Sequence, residues 1–495
     1  MDLYLGLQTV LFNPSHIFLL LLGTIVGVMF GSIPGLSCLT AMSLLIPITY
    51  NLSVIQGVLL LVGTYCGGVY GGSMTSILFR IPGAPENAAS SFDGYPMTLK
   101  GEASKAIGIA VFSSCVGGLS STLALITIAP QLMKVALMFG PQEYFSLIFL
   151  SLSMIAILQA KSPLKGLATM LFGILIACVG MAPESGAERL TFGFSQLLGG
   201  INYIPIIIGM FAISEVMNRI RKIVTVGEGP KKISYGLPSF REIARIKWTL
   251  VRGSTIGVFL GALPGIGATI SSFMAYDIER GVKKSVQFGT GIIEGVAAPE
   301  SANNGTTASS MIPLLCLGIP GSVAASILLS AFQLHGIDIG PLFFHNEPKI
   351  MNSIFISFIF ANLFIILVAA LEIKNMVKIL KIRFELVGPI IITLCMIGSY
   401  SIRNSYFDIC VMFIAGLIGY FMHRHGYPIA VLVLAMILGP MLEKAYLRTM
   451  LISQGNILSI FQRPMSGGIT VIAFLMWSYP ILKIILNRFS ARGKQ

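Results

Sequence analysis

The residues of this chain best suited to chemistry lie in one stretch, FGTGIIEGVAAPESANNGTTASSMIPLLCLGIPGS (Phe288 to Ser322). It places Glu294, Glu300, Ser301, Asn303, Asn304, Thr306 and Thr307 immediately before an apolar run. Amide, hydroxyl and carboxylate oxygens are hard ligands for a small cation such as Na⁺, and Asn303, Asn304, Thr306 and Glu294 form the candidate set. Ser301, Asn303 and Asn304 are equally suited to hydrogen-bond a substrate. Such groups are costly at membrane depth and, where they occur, mark a site or a pathway. The same residues also fit a local role, with Ser301, Asn303 or Asn304 capping a re-entrant helix; both roles are compatible.

A second stretch, GTYCGGVYGGSMTSILFRIPGAPENAASSFDGYP (Gly63 to Pro96), is rich in glycine and then turns polar. Glycines such as Gly71 and Gly72 let backbones approach closely, either to expose carbonyls and amides to a ligand or to pack helices tightly. Arg80 offers a bidentate fork to a carboxylate, or snorkels at a membrane edge. Asp93-Gly94 before Tyr95-Pro96 reads as a turn, in which Asp93 shapes a loop.

Both stretches contain a Pro-Gly pair, and the pairs recur: Pro34-Gly35 and Pro82-Gly83 early, Pro264-Gly265 and Pro320-Gly321 late. Proline removes a backbone donor and glycine frees the chain, so each pair breaks a helix and leaves backbone groups unpaired. In a membrane those groups are tolerated only where protein or a watery cavity satisfies them. All eight residues are therefore candidate substrate-binding positions, with Gly71, Gly72, Arg80, Ser301, Asn303 and Asn304.

The elements that position them are membrane helices. Mean hydropathy is +0.85, and of 495 residues 55% are hydrophobic and only 11% charged, more apolar surface than one soluble core can hide. Long apolar runs recur, among them His16 to Phe30, Ala106 to Ala129, Tyr144 to Leu158, Leu167 to Met181, Ile350 to Leu371, Phe407 to Met422 and Ile469 to Leu486. The fold class is an all-α polytopic membrane protein with roughly 11 to 13 transmembrane or re-entrant helices, some broken at Pro-Gly. The first run has neither a basic flank nor a small-residue cleavage site, so no removable signal peptide is expected. The seven cysteines lie singly in apolar stretches, as free thiols would.

The net charge of +13 does not point to nucleic acid. The segment Asn218 to Arg252 carries nine Lys or Arg against two Glu, and the tail Arg488 to Lys494 is also basic. Concentrated positive charge marks cytoplasmic faces and holds anionic lipid head groups. That segment also divides the chain. Pro34 pairs with Pro264, Pro82 with Pro320, Gly140-Pro141 with Gly388-Pro389 and Pro205 with Pro428, at offsets of 230, 238, 248 and 223. The expected organisation is a first repeat at 1–217, a basic cytoplasmic linker at 218–252, a second repeat at 253–448, and a final helix with basic tail at 449–495. With the linker and tail inside and the N-terminus outside, each repeat crosses an odd number of times and the two are inverted. Lys444, Arg448 and Arg463 pull the other way, placing 443–465 inside.

The strings LPGIGATISSFMAYDIER, FGTGIIEGVAAPESANN, IPLLCLGIPGSVAASILLSAFQLHGIDIGPLFF and GGSMTSILFRIPGAPENAASSFDGYP resemble the large membrane subunit of the tripartite tricarboxylate transporters, the TctA family. The resemblance spans roughly Gly31 to Pro440. It implies a multi-pass carrier of the bacterial inner membrane that takes up citrate-like di- or tricarboxylates. It also implies coupling to a Na⁺ or H⁺ gradient, with no other cofactor, and two partners: a small TctB-like membrane subunit and an extracytoplasmic, TctC-like solute-binding protein. Carried over, its motifs fall on Pro34-Gly35, Gly71-Gly72, Pro82-Gly83, Asp93-Gly94, Pro264-Gly265, Glu294, Pro299 to Asn304 and Pro320-Gly321. Arg80 departs from the pattern, which is neutral there, and Gly305-Thr306-Thr307 replaces a stretch richer in alanine. Two other classes remain open: a membrane-embedded enzyme on lipid substrates, for which no clustered Asp or His is present, and a channel. No GKS or GKT occurs for ATP-driven transport.

Overall fold

The computed structural model describes residues 3–33, 36–160, 162–221, 236–379 and 384–492. The chain is almost wholly helical: α1 Leu3–Leu11, α2 Pro14–Ser32, α3 Cys38–Thr49, α4 Val54–Phe79, α5 Ser91–Leu99, α6 Ala103–Ala136, α7 Pro141–Leu158, α8 Pro163–Ala177, α9 Tyr203–Ile208 and α10 Ser214–Arg221. The second half continues with α11 Phe240–Gly261, α12 Gly267–Val282, α13 Ile293–Ser309, α14 Met311–Leu317, α15 Val323–Leu334, α16 Phe343–Asn346 and α17 Pro348–Ile379. It ends with α18 Phe384–Arg403, α19 Tyr406–His425, α20 Ile429–Ile452, α21 Ser459–Gln462 and α22 Pro464–Arg492. Among the described residues nine helices are long and apolar enough to cross a membrane, and four shorter apolar helices accompany them. Helix α11 begins inside the basic segment, whose residues 222–235 lie outside the described set.

Local chemistry sets the helix starts. The Asn13 side chain accepts from Ser15 N–H, with Pro14 at the first helical position of α2. Ser53 with Gln56 and Ser239 with Glu242 form reciprocal capping boxes on α4 and α11.

The helices gather into two compact units. One comprises Met1–Met133 with Ile204–Tyr420, the other Lys134–Tyr203 with Phe421–Gln495. In the second unit α7 packs on α20 and α22. Arg463 pairs with Glu143 at 3.0 Å, and Arg189 holds Glu443 through both carboxylate oxygens at 2.6 and 3.3 Å.

Two seams of small residues organise the first unit. Along α2, Gly23, Gly27 and Gly31 face α4, where a Cβ at any of them would lie 2.2 to 2.3 Å from a main-chain oxygen. Along α11, Gly253, Gly257 and Gly261 face α13 as closely, against Ser301, Ala302, Thr306 and Ser309. The offset of 230 that pairs Pro34 with Pro264 also relates these two sets of glycines. Without a hydrophobic drive between helices in lipid, such approach gains dispersion and excludes larger side chains.

Candidate functional site

Helix α13 is polar yet buried along its whole length: every residue from Ile293 to Ser309 is shielded. A surface helix would turn such groups to water. Here most are spent within the protein. Thr306 donates to the Asn303 carbonyl at 2.7 Å, Thr307 to that of Asn304 at 2.7 Å, and Ser309 to that of Gly305 at 2.8 Å. Ser301 donates to the carbonyls of Ala297 and Ala298 and fills the space opposite Gly253. Ser301 and Thr306 thus bond back along their own helix, as hydroxyls in helix interiors do.

Asn303 differs. Neither its Oδ1 nor its Nδ2 has a hydrogen-bond partner among the described residues, although the side chain is fully buried. Asn304 donates Nδ2 to the Glu300 carbonyl at 3.2 Å and leaves its Oδ1 unpartnered. Glu300, one turn before Asn303, accepts from Ser90 Oγ and, at 3.0 Å, from Ser114 Oγ of α6. Ser310, seven residues after Asn303 and on the same stripe, meets Tyr65 of α4 at 3.4 Å and Ser322 at 3.2 Å. Asn303 therefore sits between two hydroxyl-lined contacts, with none of the described residues taking its carboxamide. A buried polar group left so costs about 1–3 kcal/mol, which marks it as open to a ligand.

Glu294 does not join a cation set with Asn303. It lies nine residues away, about 14 Å along the helix axis at 1.5 Å per residue, too far to share an ion held at about 2.4 Å. Its carboxylate is also committed to Arg245, at 2.8 and 3.2 Å, and to Lys283, at 3.0 Å.

The Pro-Gly loops come together in pairs. Gly265, left-handed at φ +86°, donates its N–H to the Gly321 carbonyl at 3.3 Å, so Pro264-Gly265 adjoins Pro320-Gly321. Gly83 donates to the Gly72 carbonyl at 3.3 Å, and a Cβ on Gly83 would lie 2.3 Å from the Gly31 carbonyl, which joins Pro82-Gly83 to the end of α2. Gly71 packs on Val28 of α2, and Gly72 faces the Asn87 carboxamide. Pro34 and Gly35 lie outside the described residues. The helices that follow the loops then pack across the halves: α12 on the 3₁₀ turn Pro85–Asn87, and α15 on α3. First-turn amides of a helix have no internal partner and attract anions.

Arg80 stands at the C-cap of α4 in the left-handed region, φ 56° and ψ 28°, and is exposed. Its N–H reaches the Ser76 carbonyl at 3.1 Å, and Ile81 N–H reaches that of Thr75 at 3.3 Å. Gly318 ends α14 with φ 74° and ψ 9° and the equivalent bonds: its own N–H to Leu314 at 2.7 Å, and Ile319 N–H to Pro313 at 3.4 Å. The offset is again 238. A left-handed residue with a Cβ costs roughly 1–2 kcal/mol.

The turn expected at Asp93-Gly94 is instead part of α5. Asp93 is fully buried and accepts from the N–H groups of Gly289, Gly291 and Ile292 at 2.8 to 3.1 Å and from Tyr276 Oη at 2.8 Å. These four donors, nearly two hundred residues on, outweigh the local turn preference. Sequence reasoning also passed over Ser90, Ser114 and Tyr65 as partners of the polar helix, because only the fold brings them there. For Asn87 the polar composition around it was the only signal; its Nδ2 bonds Val69 and Ser73, and its Oδ1 has no partner among the described residues.

The model of the tripartite tricarboxylate transporter TctA family matches residues 17–434. An uncharacterised 52.8 kDa protein of the TAR-I ttuC' 3' region of Agrobacterium vitis is 36% identical over 472 residues, 95% of this chain and 94% of that protein. An uncharacterised protein of the TAR-II ttuC' 3' region of the same organism is 38% identical over 214 residues, 43% of this chain and 88% of that protein. No solved structure matches.

Proposed function

The chain belongs to the tripartite tricarboxylate transporter TctA family, and from that premise we propose that it takes up di- or tricarboxylates of the citrate type across the bacterial inner membrane, coupled to a Na⁺ or H⁺ gradient. It is the large membrane subunit and works with a small TctB-like subunit and an extracytoplasmic, TctC-like solute-binding protein. It is a carrier and not an enzyme.

The observation that carries this reading is the Asn303 carboxamide, without a partner among the described residues, on a fully buried polar helix whose C-terminal end at Ser310 lies against Gly321. First-turn amides after the Pro-Gly loops take substrate carboxylates. Asn303 and Asn304 offer oxygens to the coupling cation or hydrogen bonds to the substrate. The inverted-repeat reading, 1–217 against 253–448 with 218–252 between them and 449–495 following, is supported by contacts that recur at the offsets 230 and 238. Gly83 rests on Gly31 and Gly72 as Gly321 rests on Gly261 and Ser310. Alternating access then follows from movement of one part against the rest.

The test is uptake of radiolabelled citrate and succinate into vesicles bearing the chain with its two partners. Saturable uptake that collapses with the ion gradient is expected. A gradient-independent current without saturable uptake would replace the carrier by a channel.

A further inference from the structure

We propose that Arg80 is a specificity-determining residue, whose guanidinium takes one carboxylate of a substrate that bears at least two; this rests on the carrier reading above. The fold needs a left-handed residue after α4 and after α14, because both ends close with the same pair of main-chain bonds. The second half meets that need with Gly318, whereas the first half places an arginine in the same backbone state. Folding alone gives no reason for this choice, since glycine adopts the conformation without strain.

Two ordinary reasons for a basic residue at a helix end do not account for the position. A cation facing the partial negative charge of the α4 C-terminus would serve as well at Phe79, where the backbone is still helical. Snorkelling to a membrane edge would likewise be served there. Arg80 forms no ion pair with a described residue, so none of the described carboxylates accounts for it either. What position 80 does offer is adjacency to Pro82-Gly83, two residues on, with the side chain exposed. Strained backbone persists where function over-determines it. A guanidinium fork matches a carboxylate in plane and bidentately, which an ammonium does not. Helix-start amides then hold one end of the substrate and Arg80 the other.

The experiment compares wild type, Arg80→Gly and Arg80→Lys in vesicles with the partner subunits, reading the half-saturation concentration for citrate and for succinate together with the thermal midpoint of each purified protein. Arg80→Gly is expected to keep or raise the midpoint while raising the half-saturation concentration by about 10- to 100-fold. Arg80→Lys is expected to recover only part of that loss. A half-saturation concentration within about twofold of wild type in Arg80→Gly, at unchanged folding, overturns the assignment and leaves the carrier reading standing. A parallel fall in midpoint and uptake also overturns it, since a structural role would act that way. Wild type that takes up neither probe removes the carrier reading and the assignment together.

Discussion

Replacing Asn303 by alanine is expected to stabilise the ligand-free protein while abolishing its transport. Two polar atoms of this side chain are buried without partners among the described residues, and each such atom costs about 1–3 kcal/mol. Truncation to Cβ removes both penalties and sacrifices packing worth about 1–2 kcal/mol in a site that partly collapses. The difference leaves the variant as stable as wild type or more so, by up to about 5 kcal/mol, a rise in thermal midpoint of at most about 5 °C for a chain of this size. Asn304→Ala is the internal comparison. It frees one orphan oxygen but breaks the bond to the Glu300 carbonyl, so its stability should change by less than about 1 kcal/mol. Thermal unfolding of the purified proteins in detergent without substrate measures the first quantity, and gradient-driven citrate uptake the second. An Asn303→Ala protein that melts lower than wild type and still transports would refute the reasoning, because the carboxamide would then be a structural group with partners inside the protein.

Three further outcomes follow from the geometry. Gly27→Ala and Gly257→Ala should each cost about 1–3 kcal/mol or more, since a Cβ would lie 2.3 and 2.2 Å from main-chain oxygens of the facing helix; Gly468→Ala, with nothing near its Cβ, should stay within about 0.5 kcal/mol by the same melting assay. Asp93→Ala should lower stability by about 2–4 kcal/mol, because it strips the acceptor from three amides and a tyrosine hydroxyl, with water recovering part. Enhanced amide exchange at 289–292 would locate the loss. Arg252→Ala should cost about 3 kcal/mol by leaving the buried Glu279 carboxylate with only Thr249, and Glu279→Gln in the same background should restore part of it in a double-mutant cycle.

The membrane class, the many helices and the places where they break were legible in the chain, since each depends on local properties: apolar run length, a missing donor at proline, freedom at glycine. The offsets 230 and 238, read from the Pro-Gly pairs, also relate the contacts at Gly31 and Gly261 and at Gly83 and Gly321. The polar string at Phe288 to Ser322 was recognisable as chemistry, but how its groups are used was not. Which hydroxyls turn back along α13, which carboxylate belongs to Arg245 and Lys283, and which carboxamide is left over depend on neighbours from α4, α6, α11 and α12. Those neighbours stand from 11 residues away, for Lys283 and Glu294, to 245, for Tyr65 and Ser310. Asp93 makes the same point, because its local turn signal is weaker than four donors delivered by α12 and the distant loop at 289–292. Periodicity and backbone chemistry act within a few residues and so can be read from order alone. Hydrogen-bond satisfaction inside a buried bundle is settled by what the fold brings within about 3 Å, and only the tertiary structure decided that both ends of the Asn303 carboxamide stay without a partner among the described residues.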